Sequence, residues 1–251
     1  NSFAFDAAVA PSMANIVIPL PPPAHLEAVP ADPSLPLPAF GVAEGMDLRE
    51  LLAQLTIPVN SGFPNDLVSL ETAPDSIALG GLKVTMLGPT KSNLDRMGRD
   101  WRAWLKKHAA PEGAAAAPDL GKAIAPDQSI PNRSSIMFVA EYDERTVLLT
   151  GDGRSSDLVR GLVRRYPEVK DGVFHVNVLK VPHHGSARNV SRQFFSQVTA
   201  DTYVFSADGT NGNPDLPTLG WLVTALKEQR RQATLVFTNP TSSVTELCSE
   251  F

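Results

Sequence analysis

Cysteine and histidine are both scarce in this sequence, and each scarcity limits the kinds of site it can contain. The chain has 251 residues and a single cysteine, Cys248, which excludes a disulfide framework and any zinc module built from several cysteines. It has five histidines, and none lies between His25 and His108. The placement of these few imidazoles therefore decides which chemistry the sequence can support.

Long apolar runs and an excess of basic charge are also missing. No apolar run approaches the roughly 20 residues that a membrane-spanning helix needs, so we expect no membrane partner and predict a cytoplasmic location. Lys plus Arg number 22 against 27 Asp plus Glu, which gives a net charge of −5 and excludes a wholly basic nucleic-acid coat. Hydrophobic residues make up 43% of the chain, which is enough for one large core or two small ones.

Proline, by contrast, is abundant and unevenly placed. Nine of the 22 prolines fall within the first 40 residues, including the run Pro21-Pro22-Pro23. Because proline lacks an amide donor and fixes φ, we predict that residues 1–45 form an extended linker or a segment wrapping a surface. A second stretch, residues 109–130, is rich in Ala, Pro and Gly and is predicted to be a flexible insertion.

The rest of the chain, residues 46–251, alternates apolar strands with amphipathic helices. A hairpin is predicted over residues 76–87, turning at Gly80-Gly81. Further strands are predicted over 135–142, 146–150, 173–181, 202–206 and 234–238, and helices over 46–55, 93–108, 157–166, 193–198 and 216–228. This order predicts a layered α/β domain with its sites at the strand ends.

Two motifs at predicted strand ends carry side chains that can bind a metal ion or transfer a proton. Asp152 lies between two glycines directly after one apolar strand, and His183 and His184 directly follow the next. We expect both motifs to converge on one edge of the sheet. A carboxylate with imidazoles is a donor set that suits Zn²⁺ and similar cations. Gly-Asp-Gly alone is more often a turn, so the joint occurrence of the two motifs carries the argument.

These motifs resemble the C-terminal half of metallo-β-lactamase-fold hydrolases, in the branch that includes the nuclease-like domain of the DNA-uptake protein ComEC. The resemblance rests on Asn-x-x-Ser-Ile at 132–136, Leu-Leu-Thr-Gly-Asp at 148–152, Leu-Lys-Val-Pro-His-His-Gly-Ser at 179–186 and Asn-Gly-Asn-Pro at 211–214. It implies a four-layer αββα sandwich, of which residues 46–251 would be only the C-terminal part.

The resemblance also implies roles for individual residues. Asp152 matches an aspartate that bridges two divalent metal ions, with Zn²⁺ the first expectation and Mn²⁺ the second. His183 and His184 match the position of a late metal-binding histidine, and either one could be the ligand while the other hydrogen-bonds the leaving group or orients a metal ligand. Asp152, His183 and His184 are therefore the predicted catalytic and metal-binding residues.

Three nearby residues are candidates for substrate binding. Ser186 either contacts a phosphate or caps the following helix. Lys180 either contacts the substrate or is a strand residue without a role in substrate binding. Asn213 stands where related proteins often carry a histidine before proline.

The principal metal motif of that family, His-x-His-x-Asp-His or its His-x-Asp-x-Asp-His variant, does not occur in these 251 residues. The chain is therefore either a degenerate, metal-free relative or the C-terminal fragment of a longer or cleaved protein. We favour the second explanation. It predicts an N-terminal fragment that carries the missing ligands as a partner, and an activating protease as a further one.

The predicted function is that of a metal-dependent phosphodiesterase or nuclease that uses a metal-activated water. Residues 151–192 hold eight basic and four acidic residues, and this local excess suits nucleic acid or another phosphodiester. The same charges could instead form a solvated helix face, since Arg160, Arg164 and Arg165 have helical spacing. The alternative functions are an ester, thioester or lactam hydrolase of the same fold, and a catalytically dead binding or regulatory module.

Overall fold

The structure is a computed structural model that describes residues 42–60, 62–108 and 126–250. Of these, residues 42–59 belong to one unit and the remainder to another. The first unit contains helix α1 (Val42–Gln54), so the predicted helix over 46–55 is present and begins four residues earlier, inside the predicted linker. The other residues of that linker, 1–41, and residues 109–125 of the predicted insertion lie outside the described residues.

The second unit is built on a seven-stranded mixed sheet, which confirms the predicted α/β class. Its strands are β1 (Ile77–Leu79), β2 (Leu82–Gly88), β3 (Met137–Tyr142), β4 (Arg145–Leu149), β5 (Phe174–Lys180), β6 (Val198–Phe205) and β7 (Thr234–Phe237). They lie side by side in chain order. Strands β1 to β4 pair antiparallel, and β4 to β7 pair parallel.

The helices of this unit fall mostly where the hydrophobic periodicity predicts them. They are α2 (Lys91–His108), α3 (Ile130–Arg133), α4 (Ser155–Arg165), α5 (Arg192–Gln197), α6 (Leu216–Glu228) and α7 (Ser242–Glu250). The sequence patterns did not predict α3 and α7. Strand β6 begins at Val198, four residues before the predicted start, because the chain passes from α5 into the strand without a loop.

The main core lies between the sheet and its helices. Val139, Leu148, Leu179 and Tyr203 occupy neighbouring positions on four adjacent strands, and each is at most 1% exposed. They share one buried cluster with apolar side chains of α4, α5 and α6, among them Leu158, Leu162, Phe194, Phe195, Leu219 and Leu222. This packing fixes β4, β5 and β6 side by side, and the candidate site lies where these strands end.

Helix α4 approaches the sheet closely at Gly161. A Cβ atom at this position would lie 2.1 Å from the backbone oxygen of Leu87 in β2, so only glycine fits. One turn later, the Arg165 guanidinium donates to the backbone oxygens of Met86, Leu70 and Ala73. The helix is therefore fixed to β2 and to the segment before it by a close backbone contact and an arginine clamp.

Candidate functional site at the carboxyl ends of the parallel strands

Three of the predicted site residues meet where β4 and β5 end. Because these two strands are parallel, their carboxyl ends lie at the same edge of the sheet. The Nε2 atom of His184 lies 3.4 Å from Oδ1 of Asp152, and Nζ of Lys180 lies 3.8 Å from the same oxygen. All three side chains are partly accessible to solvent, so a substrate or an ion can reach them.

The backbone after β5 turns sharply to present both imidazoles. His183 and His184 have φ values of 46° and 57°, in the left-handed region that residues other than glycine rarely adopt. Gly185 follows with φ of 87°, and a Cβ there would meet Pro214 at 2.7 Å and Phe205 at 2.9 Å. Backbone strain of this kind is concentrated at functional sites, where the surrounding packing maintains it.

His184 is oriented by a hydrogen bond from its own Nδ1. This nitrogen makes a short contact with the backbone oxygen of Ser206, just after β6. A carbonyl oxygen can only accept, so Nδ1 carries a proton. In neutral His184, Nε2 is then unprotonated and faces the Asp152 carboxylate. His184 therefore has a free lone pair for a cation or a proton.

His183 has different partners from His184. Its Nδ1 is 3.3 Å from Nδ2 of Asn132 and 3.7 Å from Oδ2 of Asp127. Burial lowers the pKa of His183, and the negative charges of Asp152 and Asp127 oppose this shift only in part. His183 is therefore neutral near pH 7, with its ring held through Nδ1.

Asp127 is a buried residue of the site that the sequence reasoning missed. It accepts hydrogen bonds from Ser129 N at 2.8 Å, Asn132 Nδ2 at 2.7 Å and Asn189 Nδ2 at 3.1 Å. Burial alone would raise the pKa of Asp127, but these hydrogen bonds outweigh it and hold the pKa below the ordinary value for aspartate. The residue falls inside the predicted insertion at 109–130, where composition gave no signal of it.

Asn189 connects this buried carboxylate to the Asp152 loop, and it too was missed. Its Nδ2 donates both to Asp127 Oδ2 and to the backbone oxygen of Asp152, each at 3.1 Å. The side chain is 3% exposed, and its Oδ1 accepts no hydrogen bond from any residue that the structure describes. Asp127 and Asn189 thus support the two loops that carry Asp152 and His183.

Lys180 and Ser186 have structural contacts in this arrangement. Lys180 Nζ donates to the backbone oxygen of Gly151 at 2.9 Å, and burial lowers the pKa of Lys180 while the Asp152 charge partly opposes this. The N-cap of α5 is Ser191, which accepts from Phe194 N, so Ser186 does not cap that helix. Ser186 Oγ instead lies 3.5 Å from Oδ2 of Asp215.

A polar cavity of about 300 Å³ opens beside His184. Its described lining consists of His184, Ser206, Ala207, Asp208, Asn211, Asn213, Thr238 and Asn239, without a lysine or arginine. Asn213 is the third predicted substrate-binding residue, and it lines this cavity. The sequence gave no signal for Thr238 and Asn239, which follow the last strand.

The structure weakens the argument from local basic charge. Four of the eight basic residues in 151–192 are paired with carboxylates: Arg160 with Asp157, Arg165 with Asp75, Lys180 with Asp152 and Arg192 with Glu228. A residue that is paired within the chain is less available to a phosphate. Ion pairs within the chain therefore account for half of these eight basic residues.

The described donors fit a divalent metal only in part. Asp152 Oδ1 and His184 Nε2 are two donors of the right type, whereas zinc in proteins takes at least three protein ligands. Within residues 42–60, 62–108 and 126–250, no group of three or more His, Cys, Asp or Glu side chains is arranged to hold a metal ion. The ammonium of Lys180 also competes with a cation for the Asp152 carboxylate.

Comparisons with known proteins assign no family: no protein-family model matches the chain, and no curated protein matches it. The resemblance to metallo-β-lactamase hydrolases therefore stays a prediction. The fold itself defines the broader class, an α/β protein with a seven-stranded mixed sheet. In the part of the chain that the structure describes, no helix is both long and apolar enough to cross a membrane.

Proposed function

We propose that this chain supplies part of the active site of a metal-dependent hydrolase, with Asp152 and His184 as two of its metal ligands. The observation that carries the proposal is the convergence of His184 Nε2 on Asp152 Oδ1 at 3.4 Å, with Nδ1 of the same ring fixed on Ser206. A backbone carbonyl that orients an imidazole in this way is the usual support of a metal-binding histidine.

The ions would be two divalent metals, with Zn²⁺ preferred over Mn²⁺. When bound, such ions lower the pKa of a coordinated water to near 7 and so supply a hydroxide nucleophile. The chain's own residues hold the site in shape. Lys180 donates to the Gly151 carbonyl and Asn189 donates to the Asp152 carbonyl. The backbone is therefore held on both sides of the Asp152 Cα atom, which positions the Asp152 carboxylate.

The remaining ligands would come from an N-terminal fragment of the same protein, joined to this chain after cleavage by an activating protease or continuous with it. The complete fold would then be the four-layer αββα sandwich. In support, Ile136 and Leu149 of the sheet region are 49% and 36% exposed, and a second sheet would cover them. A cytoplasmic location stays a prediction.

The proposed substrate is a phosphodiester, including nucleic acid. The polar cavity beside His184 would take the neutral part of the substrate, because its described lining offers amides, hydroxyls and the Asp208 carboxylate but no lysine or arginine. Esters, thioesters and lactams are the alternative substrates.

A second candidate function is a binding or regulatory module without catalysis. One observation favours it: Lys180 places an ammonium 3.8 Å from the carboxylate that would bind metal. The resemblance to metallo-β-lactamase hydrolases adds to it, since it implies that a histidine is frequent at the position of Asn213.

The metal proposal is tested by expressing the chain together with the polypeptide encoded upstream of Asn1 and measuring bound zinc and manganese by mass spectrometry. We expect the size-matched variants Asp152→Asn and His184→Gln each to weaken metal binding by about 10-fold or more. His175→Gln is the matched control, because His175 contacts Thr199 and Asp201 at the other end of β5. Unchanged metal content in both site variants would overturn the proposal.

Activity then separates the substrates. We expect hydrolysis of bis-p-nitrophenyl phosphate and of plasmid DNA, and loss of both activities in Asp152→Asn. Hydrolysis of p-nitrophenyl acetate or a lactam alone would move the assignment to the alternative substrates. Metal-free protein without any of these activities would favour the binding module.

A further inference from the structure

The Nδ1 edge of His183 is covered by an amide and a carboxylate that belong to the segment before β3. Asn132 Nδ2 lies 3.3 Å from Nδ1, and Asp127 Oδ2 lies 3.7 Å from it. Asp127 is 6% exposed and lies 56 residues earlier in the chain than His183. Neither residue has a role in the hydrolase mechanism proposed above, so their contact with this ring needs its own explanation.

The hydrogen-bond chemistry of Asn132 decides which nitrogen of His183 carries the proton. A carboxylate only accepts, so the Asn132 atom 2.7 Å from Asp127 Oδ2 must be the amide nitrogen. That nitrogen has a second hydrogen, and His183 Nδ1 is the acceptor within its reach. Asp127 Oδ2 is too distant from Nδ1 for a hydrogen bond of its own. Nδ1 therefore accepts, and in the neutral ring the proton is on Nε2.

The two adjacent histidines thus have opposite tautomers. His184 donates through Nδ1 to Ser206 O, so its Nε2 has the free lone pair. His183 accepts through Nδ1, so its Nε2 bears a hydrogen. The two rings lie 5.8 Å apart at 89° to each other. One imidazole is prepared to accept a cation or a proton, and the other to donate a hydrogen bond.

We propose that Asp127 is a positioning residue that acts through Asn132 to hold His183 as the Nε2–H tautomer. His183 is then a hydrogen-bond donor to an anionic oxygen of the substrate or leaving group and does not bind metal. The substrate part of this statement rests on the proposed function. The assignment of the tautomer does not, because it follows from the contacts of the Asn132 amide with Asp127 and His183.

The network around Asp127 explains why a buried carboxylate is needed for this purpose. Besides the hydrogen bond from Asn132, the carboxylate accepts hydrogen bonds from Ser129 N and Asn189 Nδ2. The backbone amide of Asp127 donates to Arg188 O at 2.9 Å. These bonds fix the carboxylate, and the carboxylate fixes the orientation of the Asn132 amide. The amide in turn determines which nitrogen of the His183 imidazole is protonated. An asparagine in place of Asp127 could accept with only one oxygen and would leave Asn132 free to rotate.

The tautomers are measured by long-range ¹H–¹⁵N NMR of the histidine side chains in the full chain at about pH 8, above the ordinary histidine pKa. We expect His183 to be protonated on Nε2 and His184 on Nδ1. Asn132→Asp replaces the donor at Nδ1 with an acceptor and should switch His183 to the Nδ1–H form or its cation. Asp127→Asn should give a mixture of both tautomers.

Asn65→Asp is the matched control, because it makes the same chemical change at an exposed position. The His175 and His184 signals report whether each variant remains folded. Wild-type His183 found protonated on Nδ1 would overturn the proposal, and so would an unchanged His183 spectrum in folded Asn132→Asp. Neither result depends on metal or activity, so failure here is distinct from failure of the proposed hydrolase.

Metal binding gives a second, independent readout. In the preparation that contains the upstream polypeptide, His183→Gln should retain zinc, whereas His184→Gln should lose it. Loss of zinc in both variants to the same extent would make His183 a ligand and contradict its role as a donor. If hydrolysis is established, Asn132→Asp should lower kcat by roughly 10- to 100-fold while zinc content is retained.

Discussion

Asp127 shows how much one buried carboxylate can organise in this fold. It joins residues 127–132, the His183 loop and the Asn189 turn, which lie far apart in the sequence. A buried charge is tolerated only where hydrogen bonds replace its lost hydration, and three donors do so here. The stability of the folded chain should therefore depend on the ionisation of this residue.

The expected pH dependence follows from the direction of the pKa shift. The pKa of Asp127 is lower in the folded chain than its ordinary value of 3.8, so the folded state binds the proton more weakly than the unfolded chain does. The stability that the anion contributes is thus fully present above about pH 4 and is lost as the pH falls through the folded-state pKa. Urea unfolding at pH values between about 3 and 6 should show this loss in the wild type.

Asp127→Asn should be less stable than the wild type at pH 6, and the difference should shrink towards pH 3. Asp208→Asn is a useful comparison, because Asp208 is exposed and its pKa is also lowered, by hydrogen bonds from Thr210. The interpretation would be wrong if the Asp127→Asn difference stayed constant across this range.

At the scale of elements, the close contact between α4 and β2 depends on Gly161, which has no side chain. Gly161→Ala adds a Cβ that would lie 2.1 Å from Leu87 O, so the helix or strand must shift. Alanine is the better helix former by about 1 kcal/mol, but overpacking against the backbone costs typically 1–3 kcal/mol or more. We expect a net loss in the free energy of unfolding.

Gly220→Ala is the matched control for this substitution. Gly220 also lies inside a helix, α6, and its added Cβ would meet nothing within 4 Å. That variant should gain about 0.5–1 kcal/mol from helix propensity alone. Chemical denaturation of both variants checks the argument, and equal effects at the two positions would contradict the close packing of α4 on β2.

Arg165 illustrates at the same scale why charge counts overstate a nucleic-acid surface. From sequence it is one of three arginines on a predicted basic helix face. In the structure its side chain is only 10% exposed and bonds three backbone oxygens and Asp75. Arg164, its neighbour, is exposed, so two adjacent arginines on one helix have different surroundings.

At the scale of the whole molecule, the incomplete donor set among the described residues leads to a prediction about the gene. We expect the reading frame upstream of Asn1 to encode a His-x-His-x-Asp-His or His-x-Asp-x-Asp-His motif, and the polypeptide carrying it to co-purify with this chain. Sequencing and affinity co-purification under non-denaturing conditions test this. An upstream sequence without either motif would leave the binding module as the better function.

The element pattern was largely predictable from the sequence, because hydrophobic periodicity and glycine turns act locally. The strands β2 to β5 and the helices α4 and α6 lie within a few residues of their predicted positions. Helix α7, Ser242–Glu250, was not predicted. Placing Asp152 and His184 at neighbouring strand ends was also possible, since both follow apolar strands directly.

What the sequence by itself determined is therefore the α/β class and the residue types at the carboxyl ends of β4 and β5. Only the tertiary structure decided how those residues are used. The Ser206 carbonyl that orients His184, and the Asp127–Asn132 pair that holds His183, come from segments separated from the histidines by about 20 to 55 residues. Hydrogen bonds of that range depend on how strands and loops pack, and no local pattern in the chain encodes them.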